Sequence, residues 1–337
     1  MKVNAYTTGH DAPSARYRVR QLIPYLEKKG VIVNEFWSKA GAFPVPGKIK
    51  QIGWAARNLT ENFSKILSQP YCDVTWLQKA MLSKHYTFER FLKKPMVFDV
   101  DDAIFLDNGG VFTQRIARRS QKIICGNSFL AEYFSKYNPN IDIIPTAVDV
   151  SKFDEIKINR TENGIFYILW TGIGSGYPFV YKIEKALKRI VDKYDFVKIK
   201  IVSDVPPKFN LLKEKDFLFE KWYKDIEFTS IKSAHLGIMP INDDDQSKGK
   251  CSYKMLCYMA AKIPIVVSPF GMNKEVLDLG NVGYGAITDE EWFYAFDKII
   301  SSTEKQKELS ENAYKVVMEN YDINVVAELV NRSLKNI

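Results

Sequence analysis

The chain has 337 residues, 46% of them hydrophobic and 26% charged, which is too long for one small core and too apolar for disorder. A net charge of +8 points towards a polyanionic partner: nucleic acid, an anionic membrane face or a phosphorylated substrate. The cysteines at 72, 125, 251 and 257 form no Cys-x-x-Cys pair and the histidines at 10, 85 and 235 are scattered, which excludes zinc and haem spacings.

In chain order, KVNAYTTG predicts a short strand ending at Gly9, and residues 15–29 predict a helix with Val19, Leu22, Ile23 and Leu26 at helical spacing. Gly30 ends it and VIVNEF supplies the next strand, so the chain opens with a βαβ unit and a parallel sheet. DVTWLQ (73–78), PMVFDVDDAIF (95–105), KIICGN (122–127) and IDIIPTAVD (141–149) read as further strands. HYTFERFLKK and residues 128–137 read as helices. Residues 151–164 are polar and irregular and read as a linker between a domain at 1–150 and another at 165–321. The second series runs through IFYILWTG (165–172), a helix at 179–194, KIKIVS (198–203), a strand-like DIEF, and AHLGIMPI (234–241). It ends in a helix from about 304 to 337, interrupted near Tyr321 and Asp322. Two series of this kind predict an α/β protein of two Rossmann-like domains with parallel sheets facing a cleft, ligands sitting at the carboxyl ends of strands.

Four loops after strands carry chemistry. TTGHDAPSARYR places Gly9 for close backbone approach, with Arg16 and Arg18 as forked donors for a phosphate or carboxylate, although a solvated helix start reads the same way. DVDDAIF offers Asp99, Asp101 and Asp102, with alternation setting Asp102 on the opposite side from the other two. WTGIGSGYP holds Gly172, Gly174, Ser175 and Gly176, but Tyr177 breaks the dinucleotide fingerprint. SKGKCSYKMLCYMAA sets Ser247, Lys248, Gly249, Lys250, Ser252, Tyr253 and Lys254 around a helix start, where free N–H groups favour an anion. Helical spacing predicts Lys250, Lys254 and Cys257 along one side of that helix.

The segment HLGIMPINDDDQSKGKCSYKMLCYMAAKIPIVVSPFGMNKEVL (235–277) resembles the donor segment of the retaining glycosyltransferases of the GT-B fold, family 4 class (glycosyl transferases group 1). CGNSFLAEY with IPTAVD resembles the end of that family's acceptor domain, DVDDAIF a subgroup with paired aspartates, and NVGYGAITDEEWFYAF the segment after the donor site. The resemblance covers nearly the whole chain. It departs at two places: Gly249 and Cys257 stand where many members carry Glu-x7-Glu on the donor ribose, and the usual Arg of the glycine-rich loop is absent.

The resemblance implies transfer of a sugar from a nucleoside-diphosphate-sugar to an acceptor hydroxyl, in bacterial cell-surface polysaccharide or lipopolysaccharide assembly. Lys250, Lys254, Asp101 and Asp102 would be catalytic. Gly172, Gly174, Ser175, Gly176, Ser247, Gly249, Ser252 and Tyr253 would bind the donor, and Gly9, Arg16 and Arg18 a glycan or lipid-linked acceptor. The donor is a substrate, so no cofactor and no metal are expected. The last helix, about 322–337, would pack back on the first domain. No nucleic-acid motif appears, and the rival reading is a non-catalytic glycan-binding or scaffold protein of the same fold. The N-terminus lacks the apolar core of a signal peptide and no run reaches 18 apolar residues. These features predict a cytoplasmic protein with reduced thiols, with peripheral attachment to the inner face of an anionic membrane as a further expectation.

Overall fold

The structure is a computed structural model and describes residues 1–41, 47–82, 84–158, 160 and 164–337. It comprises two compact units. Unit 1 is Met1–Ala147, Lys248–Cys251 and Ile323–Ile337, and unit 2 is Val148–Ser247 and Ser252–Asp322.

Unit 1 is built on a six-stranded parallel sheet in the order β2-β1-β3-β4-β5-β6. The strands are β1 (Lys2–Thr7), β2 (Ile32–Trp37), β3 (Val74–Gln78), β4 (Met96–Val100), β5 (Lys122–Cys125) and β6 (Ile141–Ile143). The sheet is covered on both faces, which is why its strands read as apolar runs. Val3, Ala5, Trp76, Val97 and Ile124 face one side, against Val326, Val330 and Leu334 of the last helix, Ile323–Lys335. Tyr6, Leu77, Phe98 and Val100 face the other, against Phe112, Ile116 and Phe134.

Unit 2 repeats the plan in the order β12-β11-β10-β7-β8-β9. Its strands are β7 (Phe166–Thr171), β8 (Val197–Ser203), β9 (Phe217–Lys221), β10 (Leu236–Met239), β11 (Ile265–Val267) and β12 (Gly283–Gly285). Ile168, Trp170, Ile199, Ile201 and Ile238 pack against helices through Val180, Leu187, Ile190, Trp292 and Phe296. Arg160 closes two helix ends, donating to the carbonyls of Lys232 (2.8 Å) and Lys262 (3.0 Å) and to that of Ala261.

Several expectations need correction. DIEF is not a strand: Lys224–Ile226 is a 3-10 turn and Glu227–Lys232 an α-helix, held by Ile231 in the core and Phe228 edge-on to Phe153. The strand there is β9, an edge strand whose residues are half-buried or exposed and whose Glu220 pairs with Lys200 at 2.8 Å. Between 85 and 94 only the turn Glu89–Phe91 is helical, and the helix expected at 179–194 breaks at Ile183. The expected linker opens with a helical turn, Ser151–Asp154, whose Phe153 is buried in unit 2; residues 159 and 161–163 lie outside the described residues. A helix over Lys48–Leu67 has no counterpart in the sequence reading.

One buried titratable group ties unit 2 to pH. The Tyr167 N–H donates to His235 Nδ1 at 3.1 Å, and the imidazole stacks on Phe166. Burial, then the positive charge of Arg160, pushes the His235 pKa down to about 4. The folded state therefore favours the neutral ring. Its contribution is complete above the unfolded value of about 6.5 and is lost as pH falls from there to about 4. Melting curves of the wild type and His235→Gln should converge over that window, and a constant offset would exclude His235 as the titrating group.

Candidate functional site

In each sheet the strand order reverses once, between β1 and β3 in unit 1 and between β7 and β10 in unit 2. Crossovers leave such a point in opposite directions and open a crevice at the strands' carboxyl ends. The candidate residues divide between these two places.

In unit 1, β4 delivers Asp99 to the sheet's carboxyl edge. Asp99 Oδ1 accepts from Arg18 Nε at 3.0 Å, and Oδ2 accepts from Trp76 Nε1 at 3.1 Å. Arg18 Nη1 also donates to the Ile144 carbonyl at 2.7 Å. Burial pushes the Asp99 carboxyl up, opposed by Arg18, which itself stays a guanidinium. Arg18 is only 3% exposed, so it does not face outwards as an acceptor ligand; its charge is taken up by Asp99. Sequence spacing could not separate it from Arg16, which remains half-exposed with its guanidinium over the Tyr17 ring.

One step beyond β4 lie Asp101 and Asp102. Alternation ends at Val100, so both turn towards the same cation: Lys79 Nζ is 3.1 Å from Asp101 and 3.7 Å from Asp102. Lys79 adopts a left-handed conformation with φ 61°, an unusual state for a long side chain at the end of β3. Gln78 Nε2 donates to Asp101 at 3.3 Å. Burial opposes ionisation of Asp101, but Lys79, Arg18 and a Ser14 hydrogen bond hold its carboxyl below the usual range. Asp102 moves the other way, raised by burial and by the Asp101 charge against Lys79, with 46% of its side chain exposed. Burial and neighbouring charges thus drive two adjacent carboxyls in opposite directions. The sequence reading did not single out Lys79 or Gln78, which sit at the end of an ordinary apolar strand.

Lys248–Cys251 belongs to unit 1, not to the second domain. Asn127 Nδ2 donates to the carbonyls of Lys248 (3.0 Å) and Lys250 (3.1 Å), and Cys251 Sγ donates to the Asp101 carbonyl at 3.2 Å. The approach requires two glycines: a β-carbon on Gly249 would lie 2.5 Å from Ala103 Cβ, and one on Gly126 2.1 Å from Cys251 Sγ. The positive charge of Lys250 acts on Asp102. Gly9 lines a separate hollow of about 300 Å³ with His10, Asp11, Ser38 and Lys39.

In unit 2, Trp170 and Gly172 sit two residues apart on β7 and its extension. A β-carbon on Gly172 would meet the indole at 2.4 Å and Lys254 Nζ at 2.7 Å, and one on Gly176 would meet the indole at 2.9 Å. Lys254 Nζ is 5.1 Å from the Trp170 ring centroid. The glycine turn is tied down where Gly174 N–H donates to Asp204 Oδ1 at 2.7 Å, while Ser175 is exposed. Behind it, the Thr171 N–H donates to the Tyr258 hydroxyl at 3.0 Å, and that ring lies against Gly237 of β10.

The helix expected to carry Lys250, Lys254 and Cys257 on one side begins only at Tyr253, which is half-buried. Ser252 before it has φ 47° and donates to Asn273 Oδ1 at 2.7 Å. That left-handed turn separates Lys250 from Lys254, so the two lysines do not share a helix face. Cys257 is 1% exposed, its thiol pushed up by burial, then by Glu227. Ser247 is also buried; its N–H donates to Asp244 Oδ1 at 2.7 Å, while its hydroxyl has no partner among the described residues. Among the described residues no three His, Cys, Asp or Glu side chains come together to hold a metal ion.

Two six-stranded parallel sheets, each with one reversal of strand order, match a known architecture along the full chain. The fold is GT-B. Sucrose-phosphate synthase from Thermosynechococcus elongatus superposes with a TM-score of 0.71 at 10% identity, over 99% of this chain and 98% of that one. WaaG, a glycosyltransferase involved in lipopolysaccharide biosynthesis, gives 0.65 at 14% identity, over 99% and 100%. HepE of Anabaena, crystallised with UDP and glucose, gives 0.68 at 14% identity, over all of both chains. No protein-family model and no curated protein matches the sequence.

Truncating Arg18 tests whether it is structural. Arg18→Leu leaves Asp99 buried without its cation and should cost about 3–5 kcal/mol in urea unfolding. The double variant Arg18→Leu/Asp99→Leu should recover part of that loss. Wild-type stability in the single variant would return Arg18 to the list of groups free to bind a ligand.

Proposed function

We propose that the chain is a retaining glycosyltransferase. It moves a sugar from a nucleoside-diphosphate donor held by unit 2 to a hydroxyl of a glycan or lipid-linked acceptor held by unit 1, in cell-surface polysaccharide or lipopolysaccharide assembly. The observation that carries this reading is Lys254 Nζ set against Gly172 and the Trp170 indole at the reversal of strand order. A backbone without side chains and a cation beside it suit a diphosphate, and neighbours of this fold were solved with UDP or UDP-2-fluoro glucose.

In this proposal the bond from the anomeric carbon to the diphosphate oxygen breaks while a bond from that carbon to the acceptor oxygen forms on the same face. The acceptor's proton passes to the leaving diphosphate, so no protein nucleophile is needed. Lys254 meets the charge that grows on the diphosphate, which is where fixed electrostatics lower a barrier most. The same cation supplies neutralisation without a metal. Ser252, with Asn273 behind it, stiffens the turn ahead of Lys254. In unit 1, Asp101 and Asp102 accept hydrogen bonds from acceptor hydroxyls, with Lys79 fixing both carboxyls and Lys250 beside Asp102.

A binding-only protein of the same fold is favoured by one observation, the absence of both glutamates at Gly249 and Cys257. Donor turnover separates the readings. A melting-temperature panel with UDP, GDP, dTDP and CMP should identify one stabilising nucleotide. Hydrolysis or transfer with the matching sugar nucleotide should persist in EDTA. Lys254→Ala should reduce turnover about ten- to a hundredfold with little change in melting temperature. Nucleotide stabilisation without any turnover would leave the binding-only reading, and wild-type turnover in the variant would remove Lys254 from the reaction.

A further inference from the structure

The helix Lys48–Leu67 of unit 1 is packed with its polarity reversed. Its inward side is polar: Asn58 and Asn62 are each 2% exposed, and Asn62 Nδ2 donates to the Met81 carbonyl at 3.0 Å. Trp54 Nε1 donates to the Gly41 carbonyl at 3.1 Å, and Glu61 accepts from the Lys39 N–H at 2.8 Å. Hydrogen bonds therefore attach this helix to the unit, together with Ile66 packed on the core and Phe63 at 6.0 Å from the Phe88 ring. The apolar residues Ile49, Ile52, Leu59, Phe63 and Leu67 are left outside, with exposures of 86%, 70%, 37%, 51% and 72%. At about 100° per residue these five fall within one stripe about 80° wide, running the length of the helix.

A stripe of this size on a charged surface marks an interaction site. Its surroundings select the partner. The helix carries exposed Lys48, Lys50 and Arg57, with Lys65 turned inward to Asn62 Oδ1 at 3.2 Å, against the single carboxylate Glu61, which Arg57 already engages at 3.0 Å. Beyond its end, Gln69 joins it to the turn holding exposed Phe91, with Arg90 over that ring and Lys93 and Lys94 following. A second copy of the chain, also at +8, would bring like charges together. An anionic lipid surface accepts both features at once: the stripe sinks among acyl chains while the flanking cations meet headgroups. No helix among the described residues is long and apolar enough to cross a membrane, so the contact is with the surface.

We propose that Lys48–Leu67 is a membrane-docking helix that lies in the plane of an anionic bilayer through Ile49, Ile52, Leu59, Phe63 and Leu67. This inference stands apart from the sugar-transfer reading, since it uses none of the residues assigned to donor or acceptor. The test is flotation of the full chain with vesicles of phosphatidylcholine alone and of phosphatidylcholine mixed with phosphatidylglycerol. The wild type should float with the mixed vesicles and not with the neutral ones, and added salt should weaken binding. Ile49→Gln/Ile52→Gln should bind mixed vesicles at least about tenfold more weakly, with unchanged melting temperature and unchanged nucleotide stabilisation. Lys48→Glu/Lys50→Glu should also weaken it. Equal flotation of wild type and Ile49→Gln/Ile52→Gln would overturn the proposal. So would a lipid-free dimer, seen by sedimentation, that the same variant converts to monomer, because the stripe would then cover a second copy.

Discussion

Parallel pairing is the constraint on which the rest of this structure depends. Every strand in both sheets runs the same way, so each connection must cross back over a face before the next strand begins. All loops that follow strands therefore emerge along one edge of a sheet. Where strand order reverses, no crossover covers that edge. Lys79 and Gln78 lie at such a point in unit 1, and Thr171 and Gly172 in unit 2. The candidate residues gather there because the backbone leaves those positions uncovered, while the interiors of the central strands are buried on both faces.

The same constraint explains what could be read from the sequence. Central strands such as VTWLQ and MVFDV are buried throughout because both faces are covered, and they stand out as largely apolar runs. The edge strand β9 does not, since it has one neighbour and carries Glu220 and Lys221. DIEF has the composition of a short strand, but contacts distant in sequence make a helix of the residues from Glu227 on: Phe228 meets Phe153 and Ile231 enters the core. The Lys48–Leu67 helix escaped for a different reason. Its buried positions are Asn58 and Asn62, and a search for an apolar inward face finds the wrong side. Among site residues, the glycines around Trp170 and the Lys254 ammonium were legible as a glycine turn and a cation. The capture of Arg18 by Asp99 was not, because it joins positions 81 residues apart.

Buried charge in unit 1 is organised in two layers. Asp99 and Arg18, each nearly inaccessible, neutralise one another below the surface with Trp76 and the Ile144 carbonyl completing their bonding. Above them Lys79 holds Asp101 and Asp102 nearer solvent. A buried pair adds little net stability compared with apolar residues, yet losing either member is costly, so the lower layer fixes geometry more than it stabilises. The upper layer inherits that geometry: Arg18 helps to hold the Asp101 carboxyl below the usual range, while burial and the Asp101 charge push that of Asp102 up against Lys79.

Packing explains the residues at the two positions that differ from the Glu-x7-Glu of the glycosyltransferases this sequence resembles. A β-carbon on Gly249 would lie only 2.5 Å from Ala103 Cβ, so no larger residue fits without shifting the Lys248–Cys251 segment. Cys257 lies on a helix whose residues from Met255 to Ala260 are all buried, with Glu227 near enough to raise its thiol. A glutamate there would place a carboxylate in a buried position within reach of the Glu227 charge, at a cost of several kcal/mol. A small, neutral side chain is what that site accepts. The helix is thereby free to press Tyr258 against Gly237 and hold the Thr171 N–H, which sets the backbone just ahead of Gly172. A glutamate at position 257 would disturb the helix whose Tyr258 hydroxyl holds the Thr171 N–H just ahead of Gly172.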